Sequence, residues 1–373
     1  MPSTELFKEA ERIMKICNAC RYCEGYCGVF PAMMRRTTFP DADLVYLANL
    51  CHGCRGCYYA CQYAPPHEFE VNLPKTFSEL SVQGYRDFAW PKSIAGAFHR
   101  NGVKLSLTTA AILTLVMLLT FLMQDTSVLV TAHRGEGAFY KIIPHWFMVL
   151  PAMAIFVFSL VSLGFGFYGF WRTIGGTSAQ LLDSRKLWGA TADAANLRYL
   201  AGGGDGCNYP DEHFSHARRW YHHAMMYGFL ACFAATCVAT VYHFVFDWEA
   251  PYPLMSWPVL LGTMGGIGLV VGTGGLLWLK TQSDPEPNSR TTTAMDVAFL
   301  ILLLLTSLSG LALLALRGTP AMGALLAIHF SIVLALFLAL PYSKFVHSVY
   351  RFGALIKYAS ERGRTGVQVM DND

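Results

Sequence analysis

The chain has 373 residues, of which 54% are apolar and 14% charged, and its mean hydropathy is +0.36. That balance is too apolar for a water-soluble globule and places most of the chain in a membrane. The net charge of +3, from 28 Lys and Arg against 25 Asp and Glu, lacks the basic excess of a nucleic-acid binder, and residues flanking apolar stretches account for it.

At the N-terminus, Leu6, Ala10, Ile13 and Met14 fall on one face of a helix over residues 3–16, and the charged residues among them leave no signal-peptide core. A second helix is expected to run from Asp41 or Asp43 through Leu50. Between and after these segments lie eight of the eleven cysteines, in two runs: Cys17, Cys20, Cys23, Cys27 and Cys51, Cys54, Cys57, Cys61. Each reads C-x2-C-x2-C-x3-C, which wraps three thiolates around one iron–sulfur cube and sends the fourth to a neighbour. Two [4Fe-4S] clusters are expected. Zinc favours two ligand pairs split by a longer loop, and disulfides need an oxidising compartment.

The spacing resembles that of two-cluster ferredoxins. The resemblance implies crossed ligation, with Cys17, Cys20, Cys23 and Cys61 on one cluster and Cys51, Cys54, Cys57 and Cys27 on the other. The chain departs from the ferredoxin pattern at Gly28 and Gln62, where a proline usually follows the fourth cysteine.

Residues 1–85 are therefore assigned to a helical dicluster domain. Residues 62–104, with Pro65, Pro66, His67 and Pro91, read as extended chain, and 86–104 as the linker to the membrane. Six stretches are long enough to span about 30 Å at 1.5 Å per residue: 105–124, 145–170, 222–246, 258–279, 295–316 and 322–342. The fold class is all-α, a ferredoxin-like helical head followed by a six-helix membrane domain over 105–350, with a tail over 351–373.

Lysine and arginine set the expected orientation. Residues 85–104 hold four, the 172–221 loop six, 280–293 two and the segment after 342 five, whereas the other side has Arg134, Lys141 and Arg317. By the positive-inside rule both termini, and the head, face the cytoplasm of a bacterial inner membrane.

Within the membrane domain, Pro151 is expected to kink the second span. The fourth holds Gly262, Gly265, Gly266, Gly268, Gly272, Gly274 and Gly275, a seam that suits close helix packing or a flat macrocycle. Gly202-Gly203-Gly204 in the loop reads as a turn, since no strand precedes it and no Gly-Lys-Ser/Thr follows. Cys207 reads as an inert thiol, with a ninth ligand as the alternative.

Imidazoles in hydrocarbon are costly, and haem iron is their common use in redox membrane bundles. His222 and His347 lie near one side and His243 and His329 near the other, so one or two b-type haems are expected. A continuous helix would set His329 and His347 on one face, about 27 Å apart, too far for one iron. His222 aligns with His243 better than His223 does, while His223 and His145 remain alternatives.

The final stretch, from His329 through Leu340-Pro341-Tyr342-Ser343-Lys344-Phe345-Val346-His347, resembles the last haem helix of nitrate-reductase gamma-type dihaem cytochromes. The whole chain, with its dicluster head and Arg218-Arg219-x2-His222, resembles the citrate/tricarballylate utilization protein B family. That resemblance implies a conduit carrying electrons from a cytoplasmic FAD-dependent dehydrogenase, tricarballylate dehydrogenase, to the membrane quinone pool. No Rossmann fingerprint or nucleophile elbow is present, so the chain itself is not expected to be the substrate dehydrogenase. A tricarboxylate transporter or a redox sensor with an iron–sulfur domain are the rival classes; a transporter would need cationic or broken-helix groups at the midplane.

Overall fold

The computed structural model describes residues 3–98 and 101–362. Six helices are long and apolar enough to cross a membrane: Gly102–Met123, His145–Thr173, Ala217–Phe246, Trp257–Thr281, Arg290–Leu316 and Met322–Tyr342. They overlap the six expected stretches and make this a membrane protein with an all-α head. Among the described residues the only strand pair is a short antiparallel one, Cys207–Asn208 with Phe214–Ser215, inside the loop between the second and third spans.

The head forms around the stripe read from the sequence. Helix Ser3–Cys20 buries Leu6, Ala10, Ile13 and Met14 and runs on far enough to carry Cys17 and Cys20 in its last turn. Helix Asp41–Leu50 covers it, with Leu44, Tyr46, Leu47 and Leu50 buried. The extended chain expected over 62–104 is in large part a helix, Leu73–Phe88. Asn72 caps it by accepting from Lys75 N, and Pro74 occupies its first turn, where a missing N–H costs nothing. Leu73, Phe77 and Leu80 recur at helical spacing and seal the head from the third side.

The glycines of the fourth span serve helix packing. A Cβ at Gly228 would sit 2.8 Å from the carbonyl oxygen of Gly265, and one at Gly265 would sit 2.7 Å from that of Gly228. Spans three and four therefore meet backbone to backbone. Helix His145–Thr173 continues through Pro151. Gly202, Gly204 and Gly206 adopt positive φ, as a turn requires.

The end of the chain departs most from expectation. The last span does not continue to His347. It tightens into a 3-10 turn at Leu340–Tyr342, where Pro341 removes a backbone donor, and a new helix, Val346–Arg362, begins beyond it. The single face and the 27 Å rise inferred for His329 and His347 presupposed an unbroken helix and do not apply. Residues 351–362 are likewise no loose tail, for this closing helix buries Val346, Tyr350, Ala354, Leu355 and Ile356 and packs on Asp41–Leu50 of the head and on loop helix Ser184–Ala195. Residues 363–373 of the expected tail lie outside the described residues.

Arg36 fastens that contact. Its guanidinium donates to Asp43 at 2.7 Å and to Glu361 of the closing helix at 2.6 Å, and Tyr46 donates to Glu361 at 3.0 Å. The head is thus held to the end of the membrane domain through a largely buried ion network.

Candidate functional site

The thiols of Cys20, Cys23 and Cys61 neighbour that of Cys17, and those of Cys51, Cys54, Cys27 and Cys23 neighbour that of Cys57, so Cys23 borders both groups. Desolvation by burial, reinforced by neighbouring sulfurs, pushes Cys17 and Cys23 up to about 12, and Cys27 and Cys57 also rise. Such thiols become thiolates readily only against a compensating metal charge. Among the described residues no three His, Cys, Asp or Glu side chains converge on a point fit for one ion.

The two groups differ in setting. Cys20 is exposed, beside the exposed Tyr22, whereas Cys54 is buried. The buried group is wrapped by groups from the membrane domain. Arg351 donates to the carbonyl of Cys51 at 2.8 Å, Arg218 to that of Gly53, and the Asn208 amide to that of Cys54 at 3.0 Å. Gly53 and Arg55 take positive φ, which folds the loop back on itself. Arg55 is buried, lies 4.2 Å over the Tyr209 ring and donates to Ser283 Oγ at 2.8 Å. Cys207 neighbours Cys54, and its Sγ donates to the carbonyl of Leu200 at 2.9 Å.

Directly beneath lies a cavity of about 260 Å³ lined by Cys51, His52, Arg218, His222, His347 and Arg351, among others. His222, from the third span, and His347, from the closing helix, face each other with ring centroids 6.3 Å apart and planes at 81°. His347 Nδ1 lies 2.5 Å from the carbonyl of Lys344, an acceptor that fixes the proton on Nδ1 and frees Nε2. His222 Nδ1 is buried without a partner. Two metal–imidazole bonds of about 2 Å, with about 1.1 Å from nitrogen to centroid on either side, span about 6.2 Å. The pair would suit an iron between two imidazoles, and Arg218 and Arg351 at the cavity would suit carboxylates on a macrocycle, Lys280 and Lys344 being paired with Asp296.

The second histidine pair is not assembled as expected. His243 stands against His145, with centroids only 3.8 Å apart, too close for a metal between them. His329 lies elsewhere, its Nδ1 3.0 Å from Ser309 Oγ and its ring close over Gly310. His223 is a tether: its Nε2 lies 3.2 Å from the carbonyl of Ala195, which also accepts from Tyr227 at 2.9 Å. His222 and His347 would suit one haem, while His243 and His329 are not brought together.

Two family descriptions match this chain: the citrate utilization protein B Fer4-like domain over residues 10–87 and citrate utilization protein B over residues 98–368. The chain belongs to the citrate utilization protein B family. A curated relative from Escherichia coli, named Citrate utilization protein B, is 46% identical over 362 residues, covering 97% of this chain and 94% of the relative. No solved structure matches. The head is accordingly a Fer4-like iron–sulfur domain, and iron–sulfur electron transfer is the role it supports.

Reading the sequence alone passes over Arg55, Arg351 and the ion triad of Asp296, which pairs with Lys280 at 2.7 Å and Lys344 at 2.9 Å. Arg351 offered a usable signal, standing four residues after His347 and so on the same side of the closing helix.

Proposed function

We propose that this protein is a membrane electron conduit that takes electrons from a reduced, FAD-dependent cytoplasmic dehydrogenase and delivers them to the membrane quinone pool. The observation that carries the reading is the His222–His347 pair, set at an iron-spanning distance in the same cavity that touches Cys51. Cys17, Cys20, Cys23 and Cys61 would hold the outer [4Fe-4S] cluster and Cys51, Cys54, Cys57 and Cys27 the inner one. His222 and His347 would hold a single b-type haem, which supplies a one-electron step between clusters and quinone. The exposed setting of Cys20 suits docking of the dehydrogenase at the outer cluster. Arg218 and Arg351 place positive charge beside the inner group and favour its reduced state.

Purified protein should contain about eight irons with acid-labile sulfide beyond its haem iron, and a dithionite-reduced minus oxidised spectrum with a b-type band. Zinc in place of iron, or no haem band, overturns the respective part. The charge bias further assigns the head to the cytoplasm. A reporter fused after Asp373 should then be active only on the cytoplasmic side, and periplasmic activity would invert the topology.

Five cations line the inner cavity, Lys280 and Lys344 paired with Asp296 and Arg55, Arg218 and Arg351 besides, and they also favour a second reading, a tricarboxylate site there. Saturable citrate binding by protein that lacks a haem spectrum would select it.

A further inference from the structure

We infer that the groove between the first and fifth spans is where the lipid-soluble quinone binds and is reduced. This inference rests on the quinone-linked reading above and adds the site. The groove measures about 1280 Å³. Its floor is apolar, built by Leu105 and Leu113 of the first span and Val297, Ile301 and Leu305 of the fifth. Its mouth is polar, at the end of the membrane domain nearest the head, where Lys75, Lys280, Asn288 and Arg290 meet Glu79 and Glu286. A molecule with an apolar tail and a head carrying two carbonyl acceptors matches that division, because the tail can enter from the bilayer while the head reaches amide, hydroxyl and ammonium donors. The mixed signs at the mouth match a neutral head better than an anionic phospholipid headgroup, which a purely cationic rim would favour.

Position relative to the redox groups is the stronger argument. Lys280, Asn288, Ser289 and Thr293 line both the groove and the inner cavity, so a wall one side chain thick parts the two. Two bonded lines cross that wall. In one, His347 Nδ1 meets the carbonyl of Lys344, the Lys344 ammonium pairs with Asp296, and Asp296 holds Lys280 at the groove. In the other, Arg55, next to Cys54, donates to Asn288 Oδ1, and Asn288 Nδ2 donates to Ser283 Oγ at 2.9 Å. A quinone seated here lies beside the inner centres and still opens to lipid. Its reduction would consume two electrons, which originate in the reduced flavin of the dehydrogenase and arrive singly from the clusters by way of the His222–His347 site, and two protons from the head side, and it would leave as the quinol.

The test uses the full chain in phosphatidylethanolamine/phosphatidylglycerol nanodiscs, reduced with dithionite, freed of excess reductant and mixed with a short-tailed benzoquinone or naphthoquinone. Ala294→Trp fills the groove from the fifth span and Thr109→Trp from the first. Both should raise the quinone concentration for half-maximal reoxidation at least about tenfold by overpacking the groove, with iron, sulfide and haem contents unchanged. A photoreactive azidoquinone should label the fifth span of the parent chain and fail to label the variants. Unaltered reoxidation in both variants overturns the groove assignment and leaves quinone reduction standing. If neither quinone reoxidises the parent chain, the quinone reading itself fails and the groove falls with it. Labelling by a photoreactive phosphatidylglycerol but not by azidoquinone makes the groove a lipid contact, again against the inference.

Discussion

A His347→Ala variant is expected to lose essentially all of its b-type absorption while keeping the iron and acid-labile sulfide of its clusters. The rings of His222 and His347 stand 6.3 Å apart, so the two would hold a haem iron jointly and losing either would weaken its binding. His222→Ala should give the same spectrum and His329→Ala should not, because His329 is engaged by Ser309 outside the pair. Electron delivery from a reduced dehydrogenase should stop at the clusters in both ligand variants, visible as clusters that reduce normally and are not reoxidised by quinone. Full haem content in His347→Ala, or equal loss in His329→Ala, would sink the assignment.

The contrast between these histidines also marks what the sequence could convey. The iron–sulfur character of the head was legible because it is encoded in local cysteine spacing, and the same holds for the spans, where about twenty apolar residues are a length signal. Helix Leu73–Phe88 was hidden by the prolines around it and by Pro74, which reads as a breaker until its first-turn position is known. The pairing of His243 was not legible. Depth alone made His329 its match, but the face each ring presents depends on how spans two, three and six pack, and that packing brought His145 instead. The break at Pro341 was written in the chain, yet a proline near a span end can equally be absorbed within the helix, as Pro151 is.

That break has a structural consequence for function. It frees the chain after Tyr342 to turn and run along the head, so His347 belongs to an element packed at once on the cluster domain and on the membrane bundle. Arg351, one turn further along, reaches the carbonyl of Cys51 from the same helix. The surroundings of Cys51 and the placement of His347 are therefore set by one helix.

If so, undocking the closing helix should disturb the haem without touching a ligand, and Arg36→Met is the change expected to do it. Arg36 is about 10% exposed and holds Asp43 of the head and Glu361 of the closing helix together. Methionine fills much of the same volume but leaves two mostly buried carboxylates facing each other, the situation in which losing one partner of a buried pair costs about 3–5 kcal/mol. Tyr46 still donates to Glu361 and relieves part of that, which places the expected loss nearer the lower figure. Thermal unfolding of the detergent-solubilised protein should move down by several degrees, protease should cut within residues 346–362 sooner than in the parent chain, and haem should be released at a lower temperature than in Lys15→Met, whose pair with Glu11 is exposed and whose loss is worth about 0–1 kcal/mol. Unchanged haem retention alongside a lowered unfolding temperature would separate the head contact from His347 placement and show that the membrane spans alone hold that histidine.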